Sequence, residues 1–181
     1  MTRFAVADAR AMLAGTPGVV RALFSAVPAE FLATTEGPDT WSPQEVLAHL
    51  TDLEEQDWIP RLTVILQEGD ARPLAPVDRV RFRSTLAELS VNQLLELFAQ
   101  RRADNLQKLD AWNLGPTDLG RRGLHPALST VTLQQLLATW VVHDQTHLAQ
   151  IVRIIAHQYA DDVGPWKQYL GILQPRSKPV P

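Results

Sequence analysis

The sequence predicts an all-α fold, a four-helix bundle with two long crossover loops and short extra helices near its ends. Three helix starts carry this prediction, because Ser42, Ser90 and Thr132 are each followed three residues later by Glu or Gln. In such a capping box, the two side chains satisfy backbone N–H groups that the first helical turn leaves free. Apolar residues then recur at helical spacing, and no segment alternates in the sustained way that is typical of a strand.

The four main helices are predicted over residues 17–27, 43–67, 91–111 and 133–158. The first of them begins at Thr16 and Pro17, a plainer cap with proline at the first helical position. Pro60 falls inside the second helix. It should kink that helix near 57–60, because proline lacks a backbone donor and its ring crowds the preceding turn.

Two long connections, over 68–89 and 112–131, contain several glycines and prolines. Loops of about 20 residues are uncommon inside a compact domain and often have a function. Helices joined by such loops need not be neighbours, so we expect a bundle whose order is not a simple up-down-up-down.

Shorter helices are expected near the two ends, over 4–14 and 164–173. We expect a single domain over 1–174. A disordered tail is expected over 175–181, where three prolines oppose regular structure.

Composition narrows the function. The 181 residues are 45% apolar and 20% charged, as in globular proteins, with a formal net charge of −3 that disfavours nucleic acid as a partner. The absence of cysteine excludes disulfides, thiolate metal sites and a cysteine nucleophile. We expect a cytoplasmic protein, because no signal peptide is evident and no apolar run approaches the about 20 residues of a membrane span.

Three histidines form a candidate metal site. His143 and His147 are four residues apart on the strongest predicted helix, so both imidazoles leave the same helical face. His49 lies at the edge of the apolar stripe of the second helix. Three protein ligands suit an open metal site, whereas structural zinc prefers four. The alternative is that all three are hydrogen-bonded core residues.

The other two histidines have weaker claims. His157 is ten residues beyond His147, too far along the helix to join the site, and is expected at the surface. His125 precedes Pro126 in the second long loop, where it could cover the mouth of the bundle or merely shape a turn.

Several polar residues could support the site. Asp52, Asp57 and Asp144 could each orient a histidine through its second ring nitrogen, although pairing with a basic residue is the better expectation for each. Gln150 follows His147 by one turn and could hydrogen-bond a site group. The charged pairs 54–55 and 101–102 are expected on solvated helix faces. Five arginines in or near the loops could bind carboxylates of a thiol or substrate, although a solvated surface position is the better expectation for any one of them: Arg79, Arg81, Arg83, Arg121 and Arg122.

Known catalytic motifs are absent from the sequence. It contains no glycine-rich phosphate loop, no G-x-S-x-G and no H-E-x-x-H. The string from His143 to His147 has the spacing of the last motif but lacks its glutamate, so a metalloprotease is not expected.

Two segments resemble the DinB-like (DinB/YfiT) metal-binding superfamily. The segment WSPQEVLAHL at 41–50 resembles its second-helix motif, and the stretch from VTLQQLL to HDQTHLAQI at 131–151 resembles its fourth-helix motif. GLHP at 123–126 and GPWK at 164–167 resemble its loop and C-terminal segments, so the resemblance covers roughly residues 17 to 173. One departure is Ser129, where the family pattern leads us to expect glycine.

The resemblance implies a four-helix bundle in up-down-down-up order and frequent homodimers. It also implies a divalent metal, often nickel or zinc, held by His49, His143 and His147. Characterised members of the family include thiol-dependent transferases and the mycothiol-dependent maleylpyruvate isomerase.

Three functions follow as hypotheses. The first is a metal-dependent S-transferase that ionises a low-molecular-weight thiol for attack on an electrophile, because three neutral ligands leave the charge of the cation uncompensated. The second is a metal-dependent hydrolase, for which the sequence offers no evident general base. The third is a metal-binding stress-response dimer without catalysis.

Overall fold

The computed structural model describes residues 4–174 and is mostly helical there. In chain order, its helices and strands are α1 (Val6–Ser25), α2 (Pro43–Gln56), α3 (Trp58–Gln67), α4 (Phe82–Thr85), α5 (Val91–Ala111), α6 (Pro116–Leu119), β1 (Arg122–His125), β2 (Ser129–Thr132) and α7 (Leu133–His157). Three short 3-10 helices cover Ala29–Ala33, Gly164–Tyr169 and Gly171–Leu173. The predicted tail over 175–181 lies outside the described residues.

The three predicted capping boxes are confirmed. Ser42, Ser90 and Thr132 cap α2, α5 and α7, and in each box the residue three positions later hydrogen-bonds back to the cap. The predicted kink is a break in the helix, because Asp57 separates α2 from α3 just before Pro60. The starts and ends of α5 and α7 agree with the prediction to within one residue.

The prediction of two separate N-terminal helices is wrong. A single helix, α1, runs through Pro17. Proline cannot donate to the carbonyl of Leu13, and this carbonyl accepts instead from Nη1 of Arg102, at 2.8 Å. Thr16 is not a cap: its hydroxyl donates to Oδ2 of Asp144, at 2.7 Å. A side chain of α5 thus satisfies the carbonyl that the proline leaves free.

The four long helices form a bundle in the predicted up-down-down-up order. α1 packs against α5 and α7, and α2 packs against the same two, so consecutive helices α1 and α2 lie across a diagonal. Arg10 pairs with Asp110 and Arg21 with Glu96, which makes α1 and α5 antiparallel.

The remaining directions follow from two further helix pairs. Contacts of Thr51 with Arg101 and of Glu54 with Asn105 make α2 parallel to α5. His49 lies beside His147, whereas Glu54 bonds Trp140, so α2 and α7 are antiparallel. The parallel pair α2 and α5 needs a long crossover, which explains the first long loop.

We expected no strands from the sequence, but the structure contains two short ones. β1 and β2 form an antiparallel hairpin inside the second long loop. Gly123 in β1 lies so close to α3 that an added Cβ would be 2.6 Å from Cγ1 of Ile65. Ser129, where glycine was expected, has a φ of 61°. The position therefore does require the left-handed conformation that glycine adopts most easily.

The predicted C-terminal helix is only partly correct, because its residues form two short 3-10 helices rather than an α-helix. Among the apolar residues of this segment, Leu173 is buried whereas Trp166 and Tyr169 are exposed.

A buried polar layer separates two apolar clusters of the core. At its centre, Arg102 contacts Glu54 at 2.8 Å and Asp144 at 2.6 Å. Its guanidinium also lies over the rings of Phe98 and Trp140. The expectation that residues 54 and 102 lie on solvated faces is therefore wrong: both are buried, and they contact each other as an ion pair. No helix among residues 4–174 is long and apolar enough to cross a membrane.

Candidate metal centre

The structure brings His49, His143 and His147 together between α2 and α7. The Nε2 atom of His143 lies 3.4 Å from Nε2 of His49 and 3.1 Å from Nε2 of His147. One ligand nitrogen from each ring falls within 4.8 Å of the other two. The three could therefore hold one metal ion, and they are the only such group of histidines and carboxylates among residues 4–174.

Hydrogen bonds fix the ring orientation of two of these histidines. Nδ1 of His49 lies 3.1 Å from the carbonyl of Arg79, and Nδ1 of His147 lies 2.8 Å from Oε1 of Gln150. A carbonyl oxygen only accepts, so each Nδ1 carries the proton and each Nε2 presents a lone pair to the cluster. Nδ1 of His143 is buried and has no partner among the described residues.

Burial keeps the cluster neutral. Burial, with the nearby charges of His147 and Arg79, lowers the pKa of His49 to about 3. Burial, followed by the charges of its two fellow histidines, lowers the pKa of His143 to about 2, and burial also lowers the pKa of His147. Neutral imidazole is the form that ligates metals, so at neutral pH no proton has to leave. This donor set fits a divalent transition metal.

Aromatic rings surround the histidines. Trp41 packs on His49 with ring centroids 4.7 Å apart and stacks on His147 at 6.2 Å. Phe82 contacts both Trp41, at 5.3 Å, and His49, at 6.1 Å, whereas Trp58 meets His143 edge-to-face at 5.2 Å. Each of the three imidazoles thus packs against at least one aromatic ring.

None of the three candidate aspartates orients a histidine. Asp52 pairs with Arg81 at 2.8 Å, and Asp144 belongs to the buried layer around Arg102. Asp57 pairs with Arg61 at 2.9 Å. Pairing with a basic residue, the better expectation, is confirmed for all three. Gln150 hydrogen-bonds His147, as predicted for a site group. The corresponding partner of His49 is the backbone carbonyl of Arg79.

A cavity of about 460 Å³ opens beside the cluster, within the range of small-molecule sites. All three histidines line it. Its walls are largely apolar and come from α2, α3, α7 and both long loops; they include Leu53, Trp58, Leu74, Val77, Leu128 and Leu136.

Asp57 and Arg61 line the same cavity. Nε of Arg61 lies 2.9 Å from Oδ1 of Asp57, but the two are poorly aligned for a hydrogen bond and neither atom has one. Burial, only partly offset by the charge of Arg61, raises the pKa of Asp57 to about 6. The break between α2 and α3 thus places in the cavity a carboxyl group whose pKa, about 6, is close to neutral pH.

Of the five loop arginines, only Arg79 lines the cavity. Arg81 and Arg83 pair with acidic residues of α2, and Arg121 pairs with Asp118. Arg122 is exposed and outside the cavity.

His125 has both of its expected roles. Its Nδ1 accepts from the backbone N–H groups of Ala127 and Leu128, which shapes the turn, and its ring lines the cavity. His157 is outside the site, as expected, and contacts Arg153 and Glu36.

The family model of the DinB superfamily matches residues 12–151, about three quarters of the chain. The chain belongs to the DinB superfamily. Among solved structures, YfiT from Bacillus subtilis is similar in fold, with a TM-score of 0.67 and 20% identity over 87% of this chain and 93% of that one. YfiT is described as a probable metal-dependent hydrolase with an unusual four-helix bundle topology. No curated protein matches the sequence closely enough to be compared.

Sequence analysis missed the aromatic rings and Arg61 as parts of this DinB site. Trp41 directly precedes the cap of α2, and Trp58 directly follows the break before α3. Their positions next to predicted helix boundaries are the one signal that could have pointed to them.

Proposed function

We propose that the three histidines hold a divalent transition metal, nickel or zinc, and that the cavity beside them carries out hydrolysis of a small substrate. The observation that carries this proposal is the convergence of three neutral imidazoles, two of them already oriented through their outer nitrogens. Three protein ligands leave positions open, as in catalytic zinc sites. When bound, such a cation acidifies coordinated water and polarises a carbonyl group.

Asp57 supplies the group that the sequence alone did not offer. Hydrolysis requires a residue that accepts a proton and returns it to the leaving group, with a pKa near the working pH. Asp57 lines the cavity, its Oδ1 has no hydrogen bond, and Arg61 beside it limits its orientation. The description of YfiT as a hydrolase adds support from the same fold.

Transfer of a low-molecular-weight thiol is the second candidate, favoured by the charge of the ligand set. Three neutral imidazoles do not compensate a divalent cation, which therefore favours a thiolate as a further ligand. The chain has no cysteine, so the thiol would be a separate small molecule.

The proposal is tested first by elemental analysis of the purified protein beside the His49→Ala and His147→Ala variants. We expect about one equivalent of transition metal in the wild type and loss of it in both variants, because two ligands seldom hold such an ion. His157→Ala on the same helix is the matched control and should keep the metal.

Turnover of ester and amide substrates then separates the two candidates. Hydrolysis without added thiol that is lost on chelation supports the first, and strict dependence on thiol supports the second. A metal-loaded protein without either activity would leave the non-catalytic dimer as the remaining hypothesis. A wild type without metal after dialysis against nickel and zinc would contradict the metal centre itself.

A further inference from the structure

The formal charges of the residues that line the cavity do not balance. Its formally charged residues are Asp57, Arg61 and Arg79, and the first two lie side by side as an ion pair. Arg79 therefore leaves one positive charge in excess, before any metal ion is added. An unbalanced positive charge beside mostly apolar walls favours an anion with an apolar body.

Arg79 is the group that can reach such an anion. Its guanidinium has no ion pair and no hydrogen bond to any residue of the range 4–174, in contrast to Arg81 and Arg83, its neighbours in the same loop. The backbone of Arg79 is fixed, because its carbonyl accepts from His49. Arg79 is exposed and lines the same cavity as the histidines. An unpaired guanidinium on a fixed backbone there is suited to a two-point contact with a carboxylate.

His125 adds a donor on the opposite loop. Because its Nδ1 accepts from two backbone N–H groups, the ring proton of its neutral form lies on Nε2. The ring lines the cavity, and Nε2 has no partner among the residues that the structure describes.

We propose that the cavity binds a small carboxylate with an apolar body, and that Arg79 holds its carboxylate group. This proposal names the substrate class of the hydrolysis or transfer proposed above and in that sense rests on it. The anion site itself does not need the metal, so the two can be tested separately.

The test measures binding of hexanoate and of hexanamide, its neutral counterpart, by calorimetry or ligand-observed NMR on metal-free and zinc-loaded protein. Hexanoate should bind about 10-fold more tightly than hexanamide, the worth of one charged hydrogen-bonded contact. Arg79→Gln should abolish this difference in both forms. Arg122→Gln, at an exposed arginine outside the cavity, should leave it unchanged.

Equal binding of the two probes, or a preference for hexanoate that survives Arg79→Gln, would overturn the proposal. A preference seen only with zinc and insensitive to Arg79→Gln would make the carboxylate a metal ligand and would overturn it as well. A preference that depends on Arg79 in a protein unable to hold zinc would support the anion site while the proposed metal chemistry fails.

Discussion

At the scale of single residues, burial of the Asp57 carboxylate has an energetic cost that its neighbour Arg61 only partly offsets. Its carboxyl group is buried at the break between α2 and α3, and the nearby guanidinium is misaligned for a hydrogen bond. Burial of a charge without full pairing favours the neutral form. Because its folded-state pKa of about 6 lies above the ordinary value of 3.8, the folded protein retains this proton over a pH range in which the unfolded chain has lost it.

The stability of the metal-free protein should therefore respond to Asp57→Asn in a pH-dependent way. The wild type loses stability as pH rises from about 4 to about 6, because the folded state binds more protons there, whereas Asn does not titrate. The free energy of unfolding of the variant relative to the wild type should rise by about 2 kcal/mol across this window. Urea unfolding at several pH values measures it.

Asp161→Asn is the matched control for this experiment, because Asp161 is fully exposed. Its difference from the wild type should stay flat with pH. A flat difference for Asp57→Asn as well would show that this carboxyl group ionises normally.

At the scale of elements, α7 carries two of the three proposed metal ligands and a residue that hydrogen-bonds one of them. His143 and His147 are one turn apart, and Gln150 on the next turn accepts from His147. The proximity of His143 and His147 could be predicted, because helical periodicity alone places both rings on one face. The carbonyl of Arg79 could not, since it depends on how the first crossover loop returns to α2.

Gln150→Leu should weaken metal binding while the fold persists. Leucine is similar in size but cannot accept from Nδ1 of His147, so the ring loses its fixed orientation and proton position. Removal of such a partner costs about 10- to 100-fold in metal affinity, which competition with a chromophoric chelator measures.

Gln145→Leu, on an exposed position of the same helix, is the control and should bind metal as the wild type does. Equal affinity in Gln150→Leu and Gln145→Leu would mean that the hydrogen bond to His147 does not support the site.

Local sequence signals explain which elements could be predicted. Each capping box, at Ser42, Ser90 and Thr132, forms its hydrogen bonds between side chains and backbone N–H groups within a span of four residues. The sequence alone therefore identifies these boxes. Continuity of α1 through Pro17 depends on Arg102, which is 89 residues from Leu13. The hairpin was missed because its strands have only four residues each, too few for alternation to stand out.

At the scale of the whole molecule, one buried arginine connects all four long helices. Arg102 on α5 contacts Leu13 on α1, Glu54 on α2 and Asp144 on α7. The sequence alone does not distinguish Glu54 from Glu55, or Arg102 from Arg101. Only the packing of the four helices shows that Glu54 and Arg102 are the buried members of these pairs.

Arg102→Met should destabilise the protein by about 3–5 kcal/mol, because it leaves two buried carboxylates without a positive charge beside them. Arg101→Met, which removes a partly exposed pair with Glu55, should cost no more than about 1 kcal/mol. Chemical denaturation compares the two variants.

If Arg102→Met does not fold, the combination with Glu54→Gln and Asp144→Asn should restore folding, since it removes the uncompensated charges. A loss of stability no larger than that of Arg101→Met would contradict a structural role for the buried layer.

The diagonal arrangement of the bundle also determines when the histidine cluster can exist. His49 and His143 are 94 residues apart in the chain, and the segment between them includes a crossover, a full helix and the hairpin. Closing so long a loop carries an entropic cost that packing must meet first. A cation on these rings would act as a non-covalent cross-link between α2 and α7. It would bind the assembled bundle and not its separate helices, so bound metal would report that the chain had finished folding.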